Sequence, residues 1–164
     1  MKAIIKLKDG SQMTAELYED VAPITVRNFV KLAKSGFYDG LIFHRVIPGF
    51  MIQGGGMYED PRPKKADCIK GEFAANGVNN PVKHTLGVLS MARAMDPDSG
   101  SSQFFVCVED CPHLDGAYAA FGKLCDNASE DVAVAISKVR TTRRGWFDDV
   151  PASPVVIDTI EIED

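Results

Sequence analysis

Between Phe43 and Gly55 one guanidinium, Arg45, and one carboxamide, Gln53, stand among the apolar side chains of Phe43, Val46, Ile47, Phe50, Met51 and Ile52. A guanidinium is permanently charged and presents a rigid fork of N–H donors, and a carboxamide both donates and accepts. Beside an apolar surface, such groups suit chemistry that proceeds by hydrogen bonding to an atom on which charge develops. Two arrangements are open. If the segment is a strand, a turn at Pro48-Gly49 and a second strand, Arg45, Phe50, Met51 and Gln53 converge on one surface. Alternatively Phe43, Val46, Phe50 and Met51 are core, and Arg45 is an exposed charge.

Other constellations are less specific. Ser90, Ser101 and Ser102 lack the strand-to-helix elbow that presents a hydrolase nucleophile, and neither His84 nor His113 is spaced to nominate a triad. The run Gly54-Gly55-Gly56 lacks the context of a nucleotide loop and reads as close backbone approach or a bulge. Cys107, Cys111 and His113 offer three candidate zinc ligands, but a structural site needs four and no fourth lies nearby, so no metal is expected. Cys68, Cys107, Cys111 and Cys125 form no Cys-x-x-Cys pair and read as free thiols.

The elements that must hold these residues are mostly short strands. Residues 2 to 18 read as a hairpin turning at Asp9-Gly10, with Met13 to Tyr18 returning. From Pro23 to Ser35, Val26, Phe29, Val30 and Ala33 recur at helical spacing, with Pro23 in the first turn and Gly36 as the stop. Further strands are expected at Leu41 to Ile47, Met51 to Gly55, Leu86 to Ala92, Gln103 to Val108, Tyr118 to Leu124 and Val155 to Ile162, with a second helix over Ser129 to Val139. Many strands, two helices and no βα alternation favour an antiparallel sheet closed on itself. The irregular stretch from Met57 to Thr85 is long for a compact domain, which points to function or exposure.

A chain of 164 residues fits one domain, spanning 1–164, and can bury a core without disulfides. Its 45% hydrophobic and 25% charged residues are ordinary for a soluble protein, and no apolar run is long enough to span a bilayer. The charged N-terminus does not resemble a secretory signal, so a cytoplasmic location is expected. A net charge of −5 argues against nucleic acid as the main partner.

The Phe43–Gly55 motif, followed in order by Leu89-Ser90-Met91-Ala92-Arg93, Ser102-Gln103-Phe104-Phe105, Leu114-Asp115-Gly116 and Phe121-Gly122-Lys123, resembles the cyclophilin family of peptidyl-prolyl isomerases, in particular its small single-domain bacterial members. The likeness runs from about residue 3 to residue 163. It implies a closed eight-stranded antiparallel β-barrel capped by two α-helices, with the substrate groove on the outer wall because side chains fill a barrel of this size. It also implies cis/trans isomerisation of X-Pro bonds without a cofactor, acting on proline-containing peptides and on unfolded or flexible proteins, most simply as a monomer.

Carried over position by position, Arg45 and Gln53 are the catalytic pair, and Phe50, Met51, Phe105 and Leu114 hold the proline ring. The backbone of Arg93 bonds the peptide, and Ala92 and Gln103 line the adjoining groove. Because rotation moves no proton, His44 is expected to be a packed, hydrogen-bonded structural histidine and not a general base. There are two departures from the family pattern: His113 stands where many members have tryptophan, and Tyr118 where many have histidine. The tryptophan is associated with tight cyclosporin binding, so weakened sensitivity to cyclosporin is expected. The rival reading is a binding module that uses the same groove without catalysis; a third class would use Cys107 and Cys111 for metal or redox regulation.

Overall fold

The computed structural model describes residues 1–164. β1 (Lys2–Leu7) and β2 (Gln12–Leu17) form the expected hairpin, with Gly10 at its turn taking φ +94°. Six more strands complete one antiparallel sheet: β3 (Leu41–Ile47), β4 (Met51–Tyr58), β5 (Val88–Met91), β6 (Phe104–Cys107), β7 (Ala120–Leu124) and β10 (Ile157–Glu163). The order is β10-β1-β2-β7-β5-β6-β4-β3. The sheet curls so that its two edges meet, but the seam between β3 and the chain entering β10 is only a bridge between Ile42 and Val156 flanked by two hydrogen bonds, Phe43 N to Val155 O and Gly40 N to Ile157 O. The expectation of a closed barrel is therefore overstated: the sheet is curled, with a laced seam in place of a full ladder.

Helix α1 (Pro23–Lys34) carries proline in its first turn and ends before Gly36 at φ +76°; it sends Val26, Phe29 and Ala33 into the core. Helix α2 spans Asn127–Ser137, two residues earlier at each end than its apolar pattern suggests, because Asp126 is the N-cap and accepts the Ser129 amide at 2.7 Å. Both helices feed one interior core built around Phe29, Tyr38, Phe43, Phe104 and Phe121, whose rings meet mostly edge-on or tilted at centroid distances of 5.2 to 5.9 Å.

The two-stranded hairpin of β8 (Thr141–Arg144) and β9 (Phe147–Pro151) is absent from the expected strands, because Thr-Thr-Arg-Arg and Phe-Asp-Asp-Val-Pro carry no apolar alternation and bury little. The long stretch after β4 is pinned to the body of the protein. Lys64 N bonds Gly56 O, Ile69 N bonds Gly100 O, and Asn80 donates to Glu72 O and Ala120 O, while Phe73 enters the core.

Candidate active site

The outer face of the sheet carries the site, and strand register assembles it. Arg45 on β3 is paired with Gln53 on β4, Gln53 with Phe105 on β6, and Phe105 with Ser90 on β5, so these residues form one row across four strands. The next row sets Ile47 beside Met51 and Met51 beside Cys107. Side chains alternate across a strand. Phe104 and Val106 accordingly point into the barrel, and Phe105 and Cys107 into a separate small cluster with Met51, Cys111 and Leu114.

Arg45 owes its orientation to an irregularity. Simple alternation would send Phe43 and Arg45 to the same face. Instead the register shifts between them, Phe43 opposing Gly54 while Arg45 opposes Gln53, so His44 is the extra residue of a β-bulge. The bulge turns Arg45 outward, where it is exposed, while Phe43 stays fully buried. Glycine makes this crossing possible: a side chain on Gly54 would come within 2.8 Å of the Ile42 carbonyl, and Gly55 adopts φ +87°. The glycine run is thus a point of close backbone approach, as its sequence suggests.

Arg45, Phe50, Met51, Gln53, Ala92, Arg93, Phe105, Leu114 and Tyr118 line a pocket of about 220 Å³. A second pocket of about 300 Å³ adjoins it, sharing Gln53, Ala92 and Arg93 and adding Gln103, Ala94, Ser99 and Ser101. Gln103 lies across Gly56, and its Oε1 accepts from Gln53 Nε2 at 3.0 Å. Of the residues expected at the site only His113 lines neither pocket; it packs on Phe50 at the rim, with centroids 5.6 Å apart.

None of the ion pairs in the chain engages Arg45, whose fork of donors is left for another partner. Arg93 behaves oppositely. Its Nε and Nη2 donate to Ala117 O at 3.1 and 2.8 Å, and its guanidinium lies between the rings of Phe73 and Tyr118. Its side chain braces the wall, while its own backbone N–H and C=O enter no backbone hydrogen bond.

Behind Phe105 lies a set of residues that sequence reasoning did not assemble. His84 stacks on the Phe105 ring at 6.1 Å and 19°. Its Nδ1 is 3.1 Å from Asp115 Oδ1, which also accepts the His84 amide at 2.7 Å, and its Nε2 is 2.8 Å from Ser90 Oγ. A carboxylate only accepts, so Nδ1 carries the proton and Nε2 accepts from the serine hydroxyl. The order serine, histidine, aspartate is that of a hydrolytic triad, but Ser90 is fully buried and no scissile carbonyl can reach it. The row is a structural pin that ties the loop bearing Leu114 to β5. Burial, partly offset by Asp115, holds the His84 imidazole below its ordinary value. For Asp115, burial works against the carboxylate, yet the His84 hydrogen bonds outweigh it and keep the carboxyl below the usual range.

His44 is buried, and its ring meets Phe147 edge-on at 6.2 Å, but its Nδ1 has no hydrogen-bond partner. The expectation of a hydrogen-bonded histidine is corrected in that respect: the bulge places the ring against the β8–β9 hairpin, where packing alone holds it. Burial and the neighbouring Arg45 push it down to about 4, so it is neutral near pH 7. The cysteines are free thiols, Cys107 and Cys111 buried with burial raising both.

Comparison with known proteins agrees with this geometry. The family described as cyclophilin type peptidyl-prolyl cis-trans isomerase matches residues 3–162. The chain is 43% identical over 151 residues to peptidyl-prolyl cis-trans isomerase A of Dickeya dadantii, covering 89% of this chain and 76% of that protein. It is 39% identical over 155 residues to peptidyl-prolyl cis-trans isomerase B of Escherichia coli, covering 90% and 91%. Among solved structures, a cyclophilin-type isomerase of Cryptosporidium parvum, crystallised in the presence of the dipeptide Ala-Pro, superposes with a TM-score of 0.80 at 28% identity, covering 100% of this chain and 99% of that one.

Proposed function

The chain belongs to the cyclophilin-type peptidyl-prolyl cis-trans isomerases and is an isomerase of X-Pro bonds, and we propose that Arg45 drives the rotation while the Phe50–Phe105 pocket holds the ring. An amide resists twisting because nitrogen shares its lone pair with the carbonyl, giving a barrier of ~20 kcal/mol. Midway through the turn the proline nitrogen regains that lone pair and becomes an acceptor. An unpaired guanidinium at the pocket edge can donate to it there and not to the planar ground state, which is the condition for raising turnover. A charge-assisted bond worth about 1.5–3 kcal/mol gives roughly ten- to hundredfold in rate.

Phe50, Met51, Phe105 and Leu114 enclose the ring, and burying it contributes about 1.5–3 kcal/mol, so binding is weak and release fast. Gln53, held by Gln103, positions the guanidinium from the neighbouring strand. The free backbone of Arg93 bonds the peptide, and Ala92 and Gln103 line the next stretch of groove, with Tyr118 closing the wall. The substrates are proline-containing peptides and unfolded or flexible proteins, handled by a monomer in the cytoplasm. That the Cryptosporidium relative was crystallised in the presence of the dipeptide Ala-Pro supports a proline occupant. At the rim, an imidazole at His113 offers cyclosporin a smaller, more polar surface than an indole, so sensitivity is weakened.

The single observation that carries the mechanism is Arg45 turned out by its bulge, unpaired, at the edge of an apolar pocket. Exchange NMR on a simple proline peptide tests it. Arg45→Ala is expected to lower kcat/KM by roughly ten- to hundredfold; unchanged turnover would leave the groove a binding site in which the guanidinium plays no catalytic part.

A further inference from the structure

Beside Arg45, between β3 and the β8–β9 hairpin, lies a pocket of about 290 Å³, lined by His44, Arg45, Trp146, Phe147, Asp148 and Asp149. Arg45 lines this pocket and the proline pocket alike, so the two are neighbours on one face with a single side chain in common. The outer wall is the tip of the β8–β9 hairpin, anchored by Arg144 Nη1 donating to Glu59 O at 3.0 Å. Trp146, at that tip, is 90% exposed. An indole left in water beside a substrate groove is surface that gains by being covered.

Resting on the reading of the groove as a peptide site, we propose that this pocket is a second client subsite, taking an aromatic side chain of the polypeptide whose proline fills the Phe50–Phe105 pocket. The charges around it favour no ionic occupant. The lining sets one cation, Arg45, against two carboxylates, Asp148 and Asp149, and Asp148 is already paired with Arg143, Nε to Oδ1 at 3.6 Å, while His44 is uncharged near neutral pH. What remains to select a side chain is the aromatic pair Trp146 and Phe147. The volume exceeds that of the pocket assigned to the proline ring, so a six-membered ring fits. Aromatic residues are what unfolded chains expose and folded ones bury, which gives an isomerase of folding clients a reason to read them.

Trp146 is the sole tryptophan, so indole emission reports on this pocket alone. The probes are alanine-based peptides with one proline and one phenylalanine, the phenylalanine moved from two to four residues away on either side, against an all-alanine peptide with the same proline. One phenylalanine position is expected to shift the emission to the blue and to raise kcat/KM over the all-alanine peptide by roughly two- to tenfold. In Trp146→Ala that ratio is expected to fall to near one. The inference is overturned if no phenylalanine peptide moves the emission, if the ratio persists in Trp146→Ala, or if lysine at the same position serves as well. Failure of the isomerase mechanism is separately visible, as undiminished turnover of the all-alanine peptide by Arg45→Ala.

Discussion

Phe104 and Phe105 are adjacent in sequence and lie on opposite faces of one strand. Phe104 meets Phe29, Tyr38 and Phe43 inside the barrel, where its ring partners are other aromatic rings held by the ladder and by α1. Phe105 meets Met51, Leu114 and Tyr118 on the outside, and behind it stands a polar pin, His84 between Ser90 and Asp115. The interior is stabilised by burial from all sides. The groove face, open to solvent so that a substrate can enter, keeps its shape with hydrogen bonds that link its loops to the sheet.

The comparison can be broken first at its inner half. Phe104→Ala is expected to cost ~3–5 kcal/mol of unfolding free energy, with kcat/KM per folded molecule little altered. Phe105→Ala should cost less stability and at least about tenfold in kcat/KM, since the lost ring is the pocket floor. Equal destabilisation with equal activity loss in both, by urea denaturation and exchange NMR, would erase the division between the faces.

Acid tests the bulge that joins them. An unfolded His44 takes a proton near its ordinary 6.5, while the folded one, buried beside Arg45, resists until about 4. Stability is therefore full above pH 6.5 and declines as pH falls toward 4, by about 3 kcal/mol from this residue. His84, also held low by burial, acts in the same direction. His44→Leu should lose markedly less stability than the native protein between pH 7 and 4.5 in urea titrations; identical pH slopes would remove His44 from the account.

The smallest effect sharpens the outer half. Asp115→Asn weakens the pin without emptying space, and an expected loss of about 1–2 kcal/mol should come with a KM that rises more than kcat falls, because the Leu114 wall loosens while Arg45 is untouched. A fall in kcat alone would tie the pin to the chemical step instead of to the shape of the pocket.

Much of this was legible in the chain itself. Alternation in β1 and β2 and helical spacing in α1 are local consequences of burying one face, so those elements could be read from residue order, and the ordered motifs that resemble the cyclophilin family nominated nearly every pocket residue. Misjudged boundaries have local causes too: Asp126 starts α2 before its apolar pattern begins, and the β8–β9 hairpin buries too little to announce itself.

Sequence alone determined which groups are present: a permanent donor, a carboxamide and a set of apolar side chains at strand spacing. Only the tertiary structure decided which way they point and what stands behind them. The extra residue at His44 that turns Arg45 outward, the meeting of Ser90, His84 and Asp115, and the placing of Trp146 next to Arg45 all depend on register between strands and on contacts between distant segments. Those are fixed by the packing of the whole sheet, which no local run of residues encodes.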